Sequence, residues 1–153
     1  MKALELKIPP PVVTLLIAAA MWGISLATPS AEVSAPIRVV AAIAIALAGV
    51  GIAISGAVAF RRAKTTVNPM KPETTSSLVT SGVYRFTRNP MYVGLALVLL
   101  AWAAFLSSAL ALLGPLLFIL YISRFQIVPE ERVLSVIFGA AYSTYQAKVR
   151  RWL

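Results

Sequence analysis

The stretch that decides the fold of this chain is Ser81-Gly82-Val83-Tyr84-Arg85-Phe86-Thr87-Arg88-Asn89-Pro90-Met91-Tyr92-Val93-Gly94. It lies where a polar segment runs into a long apolar one, as happens where a chain enters a membrane. The stretch holds two arginines, two tyrosines, an asparagine and two glycines. Arginine and asparagine offer hydrogen-bond donors, tyrosine offers a flat face, and glycine lets a ligand approach the backbone. This inventory predicts a site for a polar ligand at a membrane surface.

The composition of the whole chain is that of an integral membrane protein. Of its 153 residues, 59% are hydrophobic and only 12% are charged, whereas a soluble domain carries about 25% charged residues. Apolar segments that approach the roughly 20 residues of a transmembrane helix cover residues 12–27, 37–60, 91–106 and 109–127. We predict an all-α integral membrane protein with about four transmembrane helices in one domain, residues 1–153. The first segment also resembles a signal peptide, but the second span that follows soon after it favours a retained helix.

The connections between these segments predict how they are arranged. Only Ser107-Ser108 separates the third and fourth spans, so they should form a tight antiparallel hairpin. Residues 65–81 are rich in proline, serine and threonine and should form a loop. From Pro129 onward, charged and apolar residues interleave, which predicts an amphipathic helix at the membrane surface that begins near Pro129 and breaks at Gly139.

The distribution of charge predicts the orientation. The net charge is +9, from 14 lysines and arginines against 5 glutamates. Arg38 lies beside the first loop, and all the other basic residues fall in the N-terminal, middle-loop and C-terminal regions. The positive-inside rule then places these three regions, and both termini, on the cytoplasmic side. The positive charge therefore indicates contact with anionic lipid and not with nucleic acid.

The chain contains neither cysteine nor histidine. It therefore has no disulfide framework and no thiolate nucleophile, and it lacks both the commonest metal ligand and the commonest general base. We expect no metal at the site. Any proton transfer would fall to a glutamate or to water.

Two blocks of the sequence resemble a known family. Residues 82–94 fit the pattern G-x-Y-x-x-x-R-H/N-P-x-Y-x-G, and residues 130–145 fit E-E-x-x-L followed by F-G, Y and Y. Both are similar to blocks of isoprenylcysteine carboxyl methyltransferase-like and phospholipid methyltransferase-like membrane proteins, in the same order and with a helical hairpin between them. The resemblance covers roughly residues 78–153, about half of the chain.

The resemblance implies a membrane methyltransferase that uses S-adenosyl-L-methionine. Its acceptor would be lipid-like, with an isoprenylcysteine-like carboxylate or a phospholipid-like amine. The cofactor pocket would face the cytoplasm, between residues 78–94 and 129–153. Carried over by position, the cofactor-binding residues are Tyr84, Asn89, Pro90, Tyr92, Gly94, Glu130 and Glu131. The catalytic candidates are Arg88, Asn89 and Glu130.

The residue types suit this chemistry. A sulfonium methyl donor is already activated, so the site needs alignment, exclusion of water and tolerance of a cation. Glutamates and tyrosine faces suit the sulfonium or the amino group, and arginine and asparagine suit the carboxylate. Asn89 departs from the histidine that many relatives have before the proline, and it cannot act as an acid or a base near neutral pH. This favours an acceptor that is already anionic or already neutral.

Two other functions stay open. Membrane sterol or enone reductases share a related helical arrangement but bind NADPH. Arg150 and Arg151 would then bind the 2′-phosphate of that cofactor. A non-catalytic membrane protein would use its basic loops to bind anionic lipid or a partner. Each site residue also has a structural explanation, because arginines and tyrosines are common at membrane interfaces and glutamates at helix N-termini. The sequence leaves the acceptor and the oligomeric state open.

Overall fold

The computed structural model of the chain describes residues 4–29, 31–65 and 70–153. Every regular element in this part of the chain is helical, which confirms the predicted all-α class. The α-helices are α1 (Pro10–Leu26), α2 (Ala35–Arg62), α3 (Pro90–Leu106), α4 (Leu113–Ile122) and α5 (Val128–Lys148). Short 3₁₀ turns lie at Pro72–Thr74, Gly82–Arg85 and Ala109–Leu112. Within the predicted middle loop, residues 66–69 lie outside the described residues.

Among the described residues, two helical segments are long and apolar enough to cross a membrane. They are α2 and the continuous helical stretch Ala109–Lys148, which contains α4 and α5. The helices α1 and α3 are also apolar but have 17 residues each. At 1.5 Å per residue they reach about 25 Å, slightly less than the ~30 Å of a hydrocarbon core. The helices agree with a membrane protein, and the count of four spans stays a prediction.

The loops at each end of the bundle are tied to one another. At one end, the Ala31 N–H donates to the Ser107 carbonyl at 2.6 Å, and the Ser107 hydroxyl donates to the Ala31 carbonyl at 3.1 Å. At the other end, the Leu6 N–H donates to the Phe125 carbonyl at 3.0 Å. The helices α1 to α4 therefore run alternately between the two ends. The N-terminal segment, the middle loop and α5 share the second end, which we call the polar end.

The predicted hairpin between the third and fourth apolar segments is present. The helix α3 ends at Leu106, and Ser107 adopts the left-handed conformation with φ of 52° that commonly terminates a helix. A 3₁₀ turn then leads into α4, which packs back against α3. The hairpin turn lies at the end of the bundle opposite the polar end.

The chain stays helical through Pro129, where the sequence predicted that a separate helix begins. A π turn, Ser123–Ile127, joins α4 to α5. Proline has no N–H to donate to the carbonyl four residues earlier, and its ring crowds that carbonyl in a regular α-helix. That carbonyl belongs to Phe125, and it accepts the Leu6 N–H instead. The π turn thus accommodates Pro129 without ending the helix.

The helix α5 is shorter than the predicted amphipathic segment and is broken where predicted. Gly139 has φ of 51° and ψ of −125°, a conformation that requires glycine. The helix ends at Lys148, and Val149 is extended. Residues 149–153 therefore form a non-helical tail.

The helices α2 and α3 approach most closely at two glycines. A Cβ atom on Gly49 would lie 2.8 Å from the Gly94 carbonyl oxygen, and a Cβ atom on Gly94 would lie 2.5 Å from the Gly49 carbonyl oxygen. Small residues at such crossings allow the tight packing that holds helices together in lipid. This contact fixes the beginning of α3, and with it the signature stretch, against α2.

We expect Gly49→Ala to destabilise the protein because the added methyl group would push α3 away from α2. Overpacking of this kind costs about 1–3 kcal/mol. The matched control is Gly51→Ala in the same helix, because a Cβ atom there meets no other atom within 4 Å. Thermal unfolding in detergent should show a lower midpoint for Gly49→Ala and no decrease for Gly51→Ala. Equal midpoints for the two variants would contradict the close crossing of α2 and α3.

Candidate active site

A cavity lies at the polar end, between the beginning of α3 and that of α5. The end of α2 and the middle loop complete the wall, through Phe60 and through residues between Pro72 and Val79. The structure therefore brings the two polar segments of the sequence together around one cavity.

Most of the residues that the sequence proposed for the site line this cavity. They are Tyr84, Arg88, Asn89, Tyr92, Glu130 and Glu131. Pro90 and Gly94 are not among its lining residues. Pro90 is the first residue of α3 and packs near Gly56 of α2, and Gly94 packs against Gly49. Both are buried in the contact between α2 and α3, so their surroundings indicate a role in helix packing.

The carboxylate of Glu131 is bound by two arginines. Arg88 donates to it through Nη2 at 2.8 Å, and Arg151 donates through Nη2 at 2.6 Å and through Nε at 3.1 Å. The side chains of Arg88 and Glu131 are only 11% and 12% exposed, so water screens their attraction weakly. The hydrogen bonds with Glu131 raise the pKa of Arg151, which keeps its charge. Glu131 thus holds Arg88 in place and links it to the C-terminal tail.

Glu130 has neutral hydrogen-bond donors instead. The Tyr92 hydroxyl donates to its Oε1 atom at 2.6 Å, and the Gln126 side chain donates to the same oxygen at 2.7 Å. The other carboxylate oxygen, Oε2, receives neither bond. Within the described ranges, Glu130 forms no ion pair with lysine or arginine. Burial raises the pKa of Glu130 to about 7, so a positively charged ligand would favour its ionised form.

Aromatic side chains form much of the remaining wall. Tyr84, Tyr92, Tyr142 and Tyr145 all line the cavity and are buried. The Tyr145 hydroxyl donates to the Tyr84 carbonyl at 2.7 Å, which ties α5 to the turn that precedes α3. Burial raises the pKa of Tyr84, so its hydroxyl stays protonated at neutral pH. The wall is therefore aromatic and uncharged on this side.

The C-terminal tail packs on the turn that precedes α3. The Arg88 N–H donates to the Arg150 carbonyl at 3.0 Å, and the Asn89 side-chain amide donates to the Arg151 carbonyl at 2.9 Å. The Thr87 hydroxyl approaches the same carbonyl at 3.3 Å. The amide group of Asn89 is therefore engaged in holding the tail, where the sequence proposed a contact with the cofactor.

The sequence-based candidates omitted Gln126 and Arg151, which bind the two glutamates. Gln126 carried a signal, because it is a lone amide in an apolar segment and lies four residues before Glu130, on the same helical face. No signal in the sequence indicated that Arg151 binds Glu131, because the contacts of a non-helical tail follow no periodicity. The sequence had offered Arg151 only as a partner for NADPH.

Comparisons with known proteins indicate the family of the chain. A family model for phospholipid methyltransferases matches residues 37–141, which is more than half of the chain. The match includes the whole signature stretch and the Glu130-Glu131 pair. An uncharacterized protein of Haemophilus influenzae (strain Rd) is 52% identical over 63 residues, which are 41% of this chain and the whole of that protein.

No solved structure matches the chain. The family model covers the cavity residues from Phe60 to Leu134 and ends just before Tyr142. It confirms the resemblance to phospholipid methyltransferases that the signature stretch indicated. The chain belongs to the phospholipid methyltransferase family.

Proposed function

We propose that this protein binds S-adenosyl-L-methionine in the cavity and catalyses methyl transfer to a lipid-like acceptor. The family supports methyl transfer as the reaction. The observation that carries the location is the pair of opposite charges on one cavity. In the described part of the chain, Glu130 forms no ion pair, and the buried Nε of Arg88 has no acceptor.

The chemistry of the cofactor complements these groups. The Nε atom of Arg88 is buried and has no hydrogen-bond acceptor in the described part of the chain. Such a donor favours an anionic group, as in the carboxylate of the cofactor. Glu130 favours the ammonium or the sulfonium group, and the tyrosine faces suit both a purine ring and a sulfonium. When bound, the cofactor supplies a methyl group on a positively charged sulfur.

The residues of the chain would act by alignment and by charge. Tyr92 and Gln126 fix the carboxylate of Glu130, and Glu131 fixes the guanidinium of Arg88. Groups held in advance in this way need no reorganisation during the reaction. We assign Asn89 to positioning, because its amide holds the tail and it cannot transfer a proton near neutral pH. For an amine acceptor, the proton would pass to Glu130 or to water.

We propose four spans, with the polar end at the cytoplasmic face. The alternation of α1 to α4 between the two ends supports this count, and the gathering of the basic regions at the polar end supports this side. The acceptor would enter from the bilayer along the apolar part of the cavity wall, where Met91 and Leu134 lie. The family description favours a phospholipid acceptor, and an isoprenylcysteine carboxylate is the alternative.

A reductase that binds NADPH fits the structure less well. Arg151 was the candidate for the 2′-phosphate, and two of its nitrogen atoms donate to Glu131. Arg150 is exposed and is not among the cavity-lining residues. The signature stretch and the family model both support the methyltransferase instead.

We expect Glu130→Gln to weaken the binding of S-adenosylhomocysteine and S-adenosylmethionine at least tenfold. A hydrogen bond to a charged group contributes about 1.5–3 kcal/mol, and about 1.4 kcal/mol corresponds to a factor of ten. Titration calorimetry of the detergent-purified protein measures both affinities. A larger loss for S-adenosylmethionine would place Glu130 beside the sulfonium, because S-adenosylhomocysteine lacks that charge. An equal loss would place Glu130 beside the amino group.

The matched control for this change is Glu32→Gln. It removes the same charge from an exposed residue at the opposite end of the bundle and should leave both affinities unchanged. NADPH is titrated in parallel. Wild-type protein that binds NADPH alone would support the reductase, and protein that binds none of these ligands would support the non-catalytic alternative. An unchanged affinity in Glu130→Gln would refute the role of Glu130.

We expect Arg151→Gln to weaken S-adenosylhomocysteine binding several-fold. Glu131, which orients Arg88, would lose its hydrogen bonds with the tail. The matched control is Arg150→Gln, which makes the same change one residue earlier. The side chain of Arg150 is exposed, and only its backbone carbonyl holds the turn. Titration calorimetry should therefore separate the two variants. If both variants bind as the wild type does, then Glu131 holds Arg88 without the help of the tail.

A further inference from the structure

An apolar groove lies between α1 and α4 and shares no residue with the cavity. Its walls include Val13 and Ile17 on one side and Leu117, Leu120 and Tyr121 on the other. The groove is open to the outside of the bundle, and Leu120 is 58% exposed. An open groove with this apolar lining suits a hydrocarbon chain.

The groove ends beside a group of cations at the polar end. Phe125 lines this end of the groove, and the guanidinium of Arg124 lies 5.5 Å from the centroid of its ring. Glu5 binds Arg124 at 2.9 Å and Arg132 at 3.4 Å, and both arginines remain well exposed. Lys7 is exposed nearby in the sequence. Three cations against one carboxylate leave a net positive charge where the apolar groove meets the polar end.

One residue of the groove wall also carries a polar group without a hydrogen-bond partner among the described residues. The hydroxyl of Tyr121 is buried and has no hydrogen-bond partner in the part of the chain that the structure describes. A buried hydroxyl of this kind is unfavourable unless an acceptor is supplied. An ester carbonyl next to a hydrocarbon chain would provide such an acceptor after a small movement of the ring.

We propose that this groove binds an anionic glycerophospholipid of the bilayer, at a site separate from the acceptor's cavity. One acyl chain lies along Ile17 and Leu120, and the lipid phosphate meets Arg124 and Arg132. Basic residues at helix ends attract anionic lipids in general. Here Phe125 and Glu5 hold a cation directly at the end of an apolar groove, so charge and hydrocarbon are recognised together.

The π turn links this groove to the cavity. Phe125 lines the groove and Arg124 lies over its ring, whereas the next residue, Gln126, donates to Glu130 at 2.7 Å. A lipid bound by Arg124 and Phe125 would therefore stabilise the turn that positions Gln126. The proposal does not depend on methyl transfer.

The first test measures the headgroup preference. Delipidated protein in detergent is titrated with phosphatidylglycerol or with phosphatidylcholine of the same acyl chains. Native mass spectrometry counts the bound lipids, and thermal unfolding reports the stabilisation. We expect tighter binding and a higher midpoint with phosphatidylglycerol. Equal effects of the two lipids would overturn the proposal.

Arg124→Gln tests the polar end of the groove and should weaken phosphatidylglycerol binding about fivefold. The control is Arg85→Gln, an exposed arginine at the same end that lies outside the groove. This control should bind as the wild type does. A similar loss in both variants would show general attraction to the basic surface, and it would overturn the proposal of a defined site.

Leu120→Trp tests the apolar part, because the larger side chain fills the groove. Its control is Leu116→Trp, one helical turn earlier, at a residue that is 51% exposed and outside the groove. We expect fewer bound lipids with Leu120→Trp alone. Retention of the full phosphatidylglycerol preference in Leu120→Trp would show that charge suffices without the groove, and it would overturn the proposal. If Leu120→Trp does not fold, the Arg124 and Arg85 variants decide.

Discussion

The shared carboxylate of Glu131 is the contact on which the site depends. It joins α5 to the turn before α3, 43 residues earlier, and to the C-terminal tail, 20 residues later. Breaking a buried pair by removal of one partner costs about 3–5 kcal/mol, because the other charge stays behind without compensation. Arg88 and Glu131 are nearly buried, and Arg151 is 38% exposed, so the first pair carries most of this constraint.

The two adjacent glutamates have separate tasks because they lie on a helix. Successive residues differ by about 100° around the axis. Glu131 therefore points to Arg88 and the tail, whereas Glu130 points to Tyr92 and Gln126. One carboxylate is neutralised by arginines and holds the structure together. The other lies at the cavity, where burial raises its pKa to about 7, so a bound cation would favour its charged form.

The features that could be predicted from the sequence are those with a local cause. Hydropathy predicted the helices, the two serines predicted the hairpin, and a glycine in a polar segment predicted the break at Gly139. The gathering of the polar segments followed from the charge bias along the chain. These signals depend on residue type and spacing alone, so no tertiary contact is needed to see them.

The features that the sequence did not predict depend on contacts between distant segments. Arg88 and Glu131 were each assigned to the ligand, and the structure pairs them with each other. Gly94 belongs to the signature stretch, yet the neighbour that requires a glycine there is Gly49 of α2. Pro129 suggested a helix start, because proline is common at the first helical position. The N–H of Leu6, more than a hundred residues away, satisfies the carbonyl that this proline leaves free.

The π turn also makes the site sensitive to the number of residues in the helix. A π turn accommodates one residue more than an α-helical turn, and each residue rotates the remainder of the helix by about 100°. Without the additional residue, α5 would be rotated relative to α4, and Glu130 would face away from Tyr92. The direction in which both glutamates point therefore depends on the number of residues in Ser123–Ile127 as well as on side-chain contacts. A single deletion in this turn would therefore redirect both glutamates at once.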